Sequence, residues 1–218
     1  MNNDTHDLSR TSSISGDELV HISQKTEDKT VTVNDVKDYM IADRWEDLRF
    51  PVQGINPAGT SKPPTVDTST YAGTLLFSNS SDNHVAGTAQ MPHAWEYGSA
   101  ISPHIHWSKT TADGSELDVA WKFRYALSAT GSAPTSFSSW LDHTLVVGDL
   151  STSEKQNLST FPEIDMTGHT GSCLILWEIM RDVSEDTYGN DARLYEFDIH
   201  FKIDKLGSQD KAPSVGDY

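Results

Sequence analysis

The stretch RLYEFDIHFKID, residues 193 to 204, puts an apolar side chain at every second position. Tyr195, Phe197, Ile199, Phe201 and Ile203 share one face, and Glu196, Asp198, His200 and Lys202 share the other. A period of two belongs to a β-strand with one face buried, and a helix cannot use it. Similar runs recur along the chain. Tyr71, Gly73, Leu75 and Phe77 form one set, Val85, Ala89 and Met91 a second, and Val119, Trp121, Phe123 and Tyr125 a third. HTLVVGDL and SCLILWEIM supply further strands. Gly, Asn and Asp fill the connections, and neither a long amphipathic helix nor an internal repeat interrupts the pattern. Short strands at this spacing predict an all-β chain, an antiparallel β-sandwich or jelly roll.

The N-terminal part reads differently. Residues 1–13 are polar, with too little apolar surface to offset the entropy of ordering, and are expected to be disordered. In residues 14–44 an alternating run over Glu18 to Ser23 precedes the polar turn QKTEDK and a second run with Val31 and Val33. This predicts a hairpin, and Asn34 and Asp35 are placed to cap a short helix carrying Val36 and Tyr39. So small a module buries little by itself. It is therefore expected to anchor or trimerise the chain through Leu19, Val20, Ile22, Val31, Val33, Val36 and Tyr39. Residues 45–70 read as an entry segment and a Pro-, Ser- and Thr-rich arm, 71–205 as the sandwich, and 206–218 as a flexible tail.

Composition narrows the partners. With 32 acidic against 16 basic residues the formal charge is -16, a field that repels phosphate backbones and anionic bilayers. Neither nucleic acid nor membrane is an expected partner, and no apolar run approaches the roughly 20 residues of a bilayer span. The N-terminus lacks the basic and apolar regions of a signal peptide. One cysteine, Cys173, excludes an intrachain disulfide and a Cys-x-x-Cys metal site, which suits folding in a reducing cytoplasm.

Few residue patterns carry chemistry. In SAISPHIHWSKT the alternation assigns Ile101, Pro103, Ile105 and Trp107 to the core, leaving His104 and His106 together on the opposite, outer or intersubunit face. Two imidazoles about 7 Å apart along a strand can share a metal ion. Asp198 and His200 repeat the i, i+2 arrangement on a second strand, and His93 is a further contributor. The spacing alone fixes no common geometry, so the reading adopted is structural, with no metal, no cofactor and no catalytic residue. The acidic stretch with Asp182, Glu185, Asp186 and Asp191 offers oxygen ligands or a carboxylate pair, but it departs from the EF-hand pattern and reads as solvated turn. No Gly-x-Ser-x-Gly elbow and no phosphate-binding Gly loop occurs. Cys173 opens an apolar strand and reads as core. Trp140 and Tyr188 are expected in loops, facing a ligand, where aromatic rings stack on sugars.

Two sets of motifs carry a resemblance. SISGDELVHISQKTEDKTVTVNDVKDY resembles the short N-terminal segment of bacteriophage fibre and appendage proteins, a GDEL-hydrophobic strand followed by a second strand and a helix start. Trp45 to Pro51, Gln90 to Trp95, Ile101 to Trp107 and Phe197 to His200 are similar to motifs shared by a group of phage virion-associated proteins. The resemblance implies a non-enzymatic virion structural protein of the tail-fibre, head-fibre or capsid-decoration type, assembled in the bacterial host cytoplasm. It implies a homotrimer, held to capsid, portal, adaptor or tail proteins by the N-terminal segment and displaying the sandwich to a host-surface glycan or to the particle. The alternative is a cupin-like metal enzyme or a glycan-cleaving enzyme working on the His104, His106 and His200 face.

Overall fold

The computed structural model describes residues 19–24, 27–36, 44–58, 63–71 and 73–204. The chain divides into two units, Met1–Asp43 and Arg44–Tyr218.

In the first unit, β1 (Leu19–Gln24) pairs antiparallel with β2 (Glu27–Thr32), from Leu19 opposite Thr32 to Gln24 opposite Glu27. The pairing runs further into QKTEDK than the expected turn allows. Residues 33–36 form one helical turn. Its cap is Thr32, two residues before Asn34 and three before Asp35, and Asp35 joins the cap from inside the turn. The Asp35 carboxylate accepts from the Thr32 backbone N–H at 2.8 Å and from its hydroxyl, while the Asp35 N–H donates to Thr32 Oγ1 at 3.0 Å. That is a reciprocal capping box, with Asp in the place of the usual Glu. Leu19 is 69% exposed and Val31, Val33 and Val36 are half-buried. The side chains of Val20 and Ile22, all of Tyr39, residues 1–13 and the tail 206–218 lie outside the described residues.

The second unit is a sandwich of two sheets. Its strands are β3 (Arg44–Pro51), β4 (Asn56–Ala58), β5 (Thr65–Val66), β6 (Leu75–Phe77), β7 (His84–Gln90), β8 (Ser102–Lys109), β9 (Trp121–Ser128), β10 (Leu141–Asp142), β11 (Leu145–Val147), β12 (Asn157–Thr160), β13 (Leu174–Arg181) and β14 (Ala192–Ile203). One sheet runs β10-β9-β13-β7-β4 and the other β11-β12-β8-β14-β6-β5, with β3 also on β14. All pairings between these strands are antiparallel. Successive strands β7, β8 and β9, and again β12, β13 and β14, step from one sheet to the other, the connectivity of a jelly roll. Pro57 sits on the edge strand β4, where a missing N–H costs no ladder bond.

An aromatic layer joins the sheets. Phe197 of β14 packs on Trp177 of β13 with ring centroids 4.5 Å apart and on Phe123 of β9 at 5.7 Å. Trp107 and Phe77 of the other sheet both meet Trp121, at 6.0 and 4.9 Å. Ile105, Trp107, Phe197, Ile199 and Phe201 are buried, as the period of two requires. Trp107 also donates its indole N–H to Ser159 on β12 at 2.9 Å, so its one polar atom is satisfied inside the core.

Three expectations change. Residues 45–70 are more than an entry segment and arm, since they supply β3, β4 and β5, and β3 pairs with β14 along eight residues from Arg44 to Pro51. Tyr71 is 43% exposed and lies outside the core set. Tyr195 departs from the inward face because the β14 register against β8 shifts between Leu194 and Glu196. A bulge inserts one residue and reverses the alternation on its N-terminal side. Leu194 is therefore buried, while the Tyr195 hydroxyl pairs with Ser108 at 2.8 Å and its ring lines an outer pocket.

Candidate functional site

The register of β8 against β14 sets His104 opposite Asp198 and His106 opposite Glu196. All four point to the outer face of the seven-stranded sheet. His104 Nε2 lies 3.3 Å and His106 Nε2 3.0 Å from the same oxygen, Asp198 Oδ2. The expected outer face is correct for the strand alternation, but exposure does not follow from it. The His104 and Asp198 side chains are 3% and 6% exposed and His106 is 21% exposed. Both strands are flanked on each side, and the His106 and His200 rings stand 5.1 and 4.3 Å from the His104 ring. Histidines on a solvent-side face have thus become a partly dry cluster.

Burial alone would raise the Asp198 carboxyl, but hydrogen bonds from His104 and His106 more than offset it and hold the group well below the usual carboxylate range. Asp198 is therefore an anion facing two imidazoles. Its second oxygen, Oδ1, is buried and makes no hydrogen bond among the described residues. His106 Nδ1 is in hydrogen-bond contact with the Gln156 side-chain amide. His200 turns to Asp47 on β3, 2.9 Å away, and burial and the neighbouring His104 lower its pKa.

A pocket of about 520 Å3 opens beside the cluster, lined by Asp47, Arg49, His106, Gln156, Tyr195, Glu196 and Asp198. Arg49 forks onto Glu196, with its Nε and Nη2 donating at 2.8 and 2.6 Å, which fixes one wall. The structure thus brings His104, His106 and Asp198 together, with His200 adjacent. It adds Asp47, Arg49, Gln156, Tyr195 and Glu196, which sequence reasoning missed. Alternation in WEDLRF places Asp47 and Arg49 on one face, a usable signal once that segment is read as a strand. Nothing in the local sequence marks Gln156.

The other sequence candidates fall elsewhere. Tyr188 lies in the connection between β13 and β14, a loop as expected, but its side chain is turned into the protein. It is 2% exposed, its hydroxyl donates to the Thr111 carbonyl at 2.8 Å and accepts from the Thr111 N–H at 2.9 Å, and Lys109 lies over its ring. Trp140 is half-buried beside the five-stranded sheet, with the Arg124 guanidinium 4.4 Å from its ring and 5.0 Å from that of Phe137, which is 39% exposed. The acidic residues are spoken for. Asp182 and Glu185 hold Lys122 at 2.9 and 3.0 Å, Asp186 holds the buried Arg181, and Asp191 accepts from the Asn79 N–H. His93 pairs with Ser172 at 2.6 Å. Cys173 is buried, and that burial pushes its thiol up to about 11, which suits a core residue and not a nucleophile.

No protein-family model matches the sequence, and no curated protein is similar to it. Partial likeness to solved structures extends to the enzymatically active domain of bacteriophage CBA120 tailspike protein 4, at 9% identity and a TM-score of 0.33 over 74% of this chain. The chain spans 20% of the length of that domain. Two others are TmCBM27, a carbohydrate-binding module with specific mannan recognition (10% identity, TM-score 0.36, 73% of this chain and 99% of that one), and the xylan-binding domain of CBM 22 (11%, 0.33, 76% and 90%). Overlap this loose carries nothing about the site. The sandwich rests on the two sheets and the aromatic layer between them.

Proposed function

We propose that this chain is a non-enzymatic structural protein of a bacteriophage virion, a homotrimeric surface appendage anchored through residues 14–44 and displaying its β-sandwich for host-surface binding or particle stabilisation. The observation that carries the reading is the N-terminal hairpin. It is a unit of its own, two six-residue strands with Leu19 69% exposed. An isolated two-stranded hairpin is marginal in water, so association with copies of itself or with a partner is what would stabilise it. The resemblance of the same residues to virion-attachment segments names the partner class.

The display surface would be the Arg124 cluster beside the five-stranded sheet. Arg124 is fixed by Glu178, its Nε donating at 2.7 Å, and flanks Phe137 and Trp140. A half-exposed aromatic pair around a cation suits stacking on sugar rings.

Sedimentation of the full chain tests the assembly. Three chains of 24.1 kDa give a particle of about 72 kDa that survives dilution, and Leu19→Asp shifts it toward single chains. A wild-type protein that sediments as a single chain at high concentration overturns the trimer.

A further inference from the structure

We propose that His104, His106 and Asp198 form a binding site for a divalent first-row transition metal ion of the zinc type, clamping β8 to β14 beside the outer pocket. The proposal goes beyond the appendage reading and stands independently of it.

Geometry carries it first. One ligand atom from each of the three residues lies within 4.8 Å of the other two, with Asp198 Oδ2 3.3 and 3.0 Å from the two Nε2 atoms. An ion with ligands about 2.0–2.1 Å away spaces its donors about 3.3 Å apart in a tetrahedron and about 3.0 Å apart at octahedral right angles. The two carboxylate–imidazole separations already match these spacings, and the two imidazole nitrogens, within 4.8 Å of each other, need to approach by at most about 1.5 Å through side-chain rotation. Two imidazoles and one carboxylate select zinc or its neighbours over calcium and magnesium, which take oxygen ligands.

The second observation is Asp198 Oδ1. A carboxylate oxygen on a side chain only 6% exposed, without a hydrogen bond among the described residues, is costly unless something positive shares the carboxylate. A dication provides that charge. Third, His106 already has an outer partner of the kind metal-bound histidines use. When Nε2 binds the ion its proton moves to Nδ1, which then donates to the Gln156 amide oxygen after a flip of that amide. The pocket beside His106 and Asp198 leaves the remaining coordination positions open to water or another oxygen donor. His200, held by Asp47, stays outside the set.

The test uses the full chain, treated with a chelator, dialysed and titrated with Zn2+ by calorimetry, with Co2+ absorption as a second readout of coordination. The expected result is one zinc per chain with micromolar or tighter affinity and a Co2+ visible band that competes with Zn2+. His106→Ala, at a partly exposed position, should fold and lose affinity at least 100-fold. Gln156→Ala, which touches no ion, should lose about 10- to 100-fold, an effect a merely structural glutamine would not have. Asp198→Asn should abolish the Co2+ band; if it fails to fold, the His106 and Gln156 variants decide. No saturable zinc binding by the wild type, or equal binding by wild type and His106→Ala, overturns the proposal.

Discussion

Gly87, in the middle of β7, lies opposite Trp177 of β13. A methyl group there would sit 2.3, 2.7 and 2.9 Å from three carbons of the Trp177 indole. Carbon atoms rest about 3.5–4.0 Å apart, so the ring must retreat by about 1.2 Å, or the strands must part. The ring has nowhere to go. It is 1% exposed, with Phe50 5.5 Å away edge-on and Phe197 4.5 Å away on the opposite sheet. Overpacking of this kind costs about 1–3 kcal/mol, and a boxed indole belongs at the upper end. Losing the glycine's backbone freedom returns about 0.5–1 kcal/mol. Gly87→Ala should therefore destabilise the sandwich by about 2 kcal/mol. In urea, with a slope of about 2 kcal/mol per molar, the midpoint should fall by about 1 M. Gly54→Ala, where an added Cβ meets nothing within 4 Å, serves as the control and should stay within about 0.5 kcal/mol of wild type. Adding Trp177→Phe to Gly87→Ala should cost less than the two single losses summed, because the smaller ring vacates the contested space. An unchanged or higher midpoint for Gly87→Ala would refute the packing described between the two sheets.

Trp107→Ala should cost about 3–5 kcal/mol in the same assay, since Trp107 is fully buried and spans the sheets, whereas His106→Ala without added metal should cost far less. The histidines should titrate in opposite directions by NMR. His143, hydrogen-bonded to Asp118, should titrate above the ordinary value of about 6.5, so its stabilisation is full below that value and is lost as pH rises through the folded pKa. His84 and His200, lowered chiefly by burial, should titrate below it. Their contribution is present above about 6.5 and is lost as pH falls through their folded pKa values, so as pH falls from 9 to 5 wild type should gain stability relative to His143→Gln and lose it relative to His200→Gln. Cys173, buried with its thiol raised to about 11, should resist iodoacetamide at pH 8 in the native protein and react on denaturation; rapid native labelling would place it at the surface.

How much of this was legible in the sequence depends on whether the deciding interaction is local. Alternation in residues 101–107 and 197–201 identified Ile105, Trp107, Phe197, Ile199 and Phe201 as core, because burial of one sheet face imposes a period of two on each strand by itself. The bulge at Tyr195 escaped, since an extra residue leaves the composition of a strand unchanged and shows only in its pairing. The histidine cluster was half legible. His-x-His and Asp-x-His announced two strands with polar pairs, but the setting of His104 opposite Asp198 comes from a pairing 94 residues apart, and the burial of both comes from the strands that flank them. Tyr188 shows the reverse failure. Its neighbours SEDTYGND read as an exposed turn, yet its ring is covered by Lys109 and its hydroxyl is held by Thr111, both distant in sequence.

The most direct test of the central claim is gold-labelled antibody imaging of intact phage particles purified from the source culture. The account predicts regular label at a fixed place on the virion, on the head for a decoration or head-fibre protein and on the tail for a fibre or adaptor. Intact particles without label, with the epitope shown to be accessible on the free protein, would contradict it.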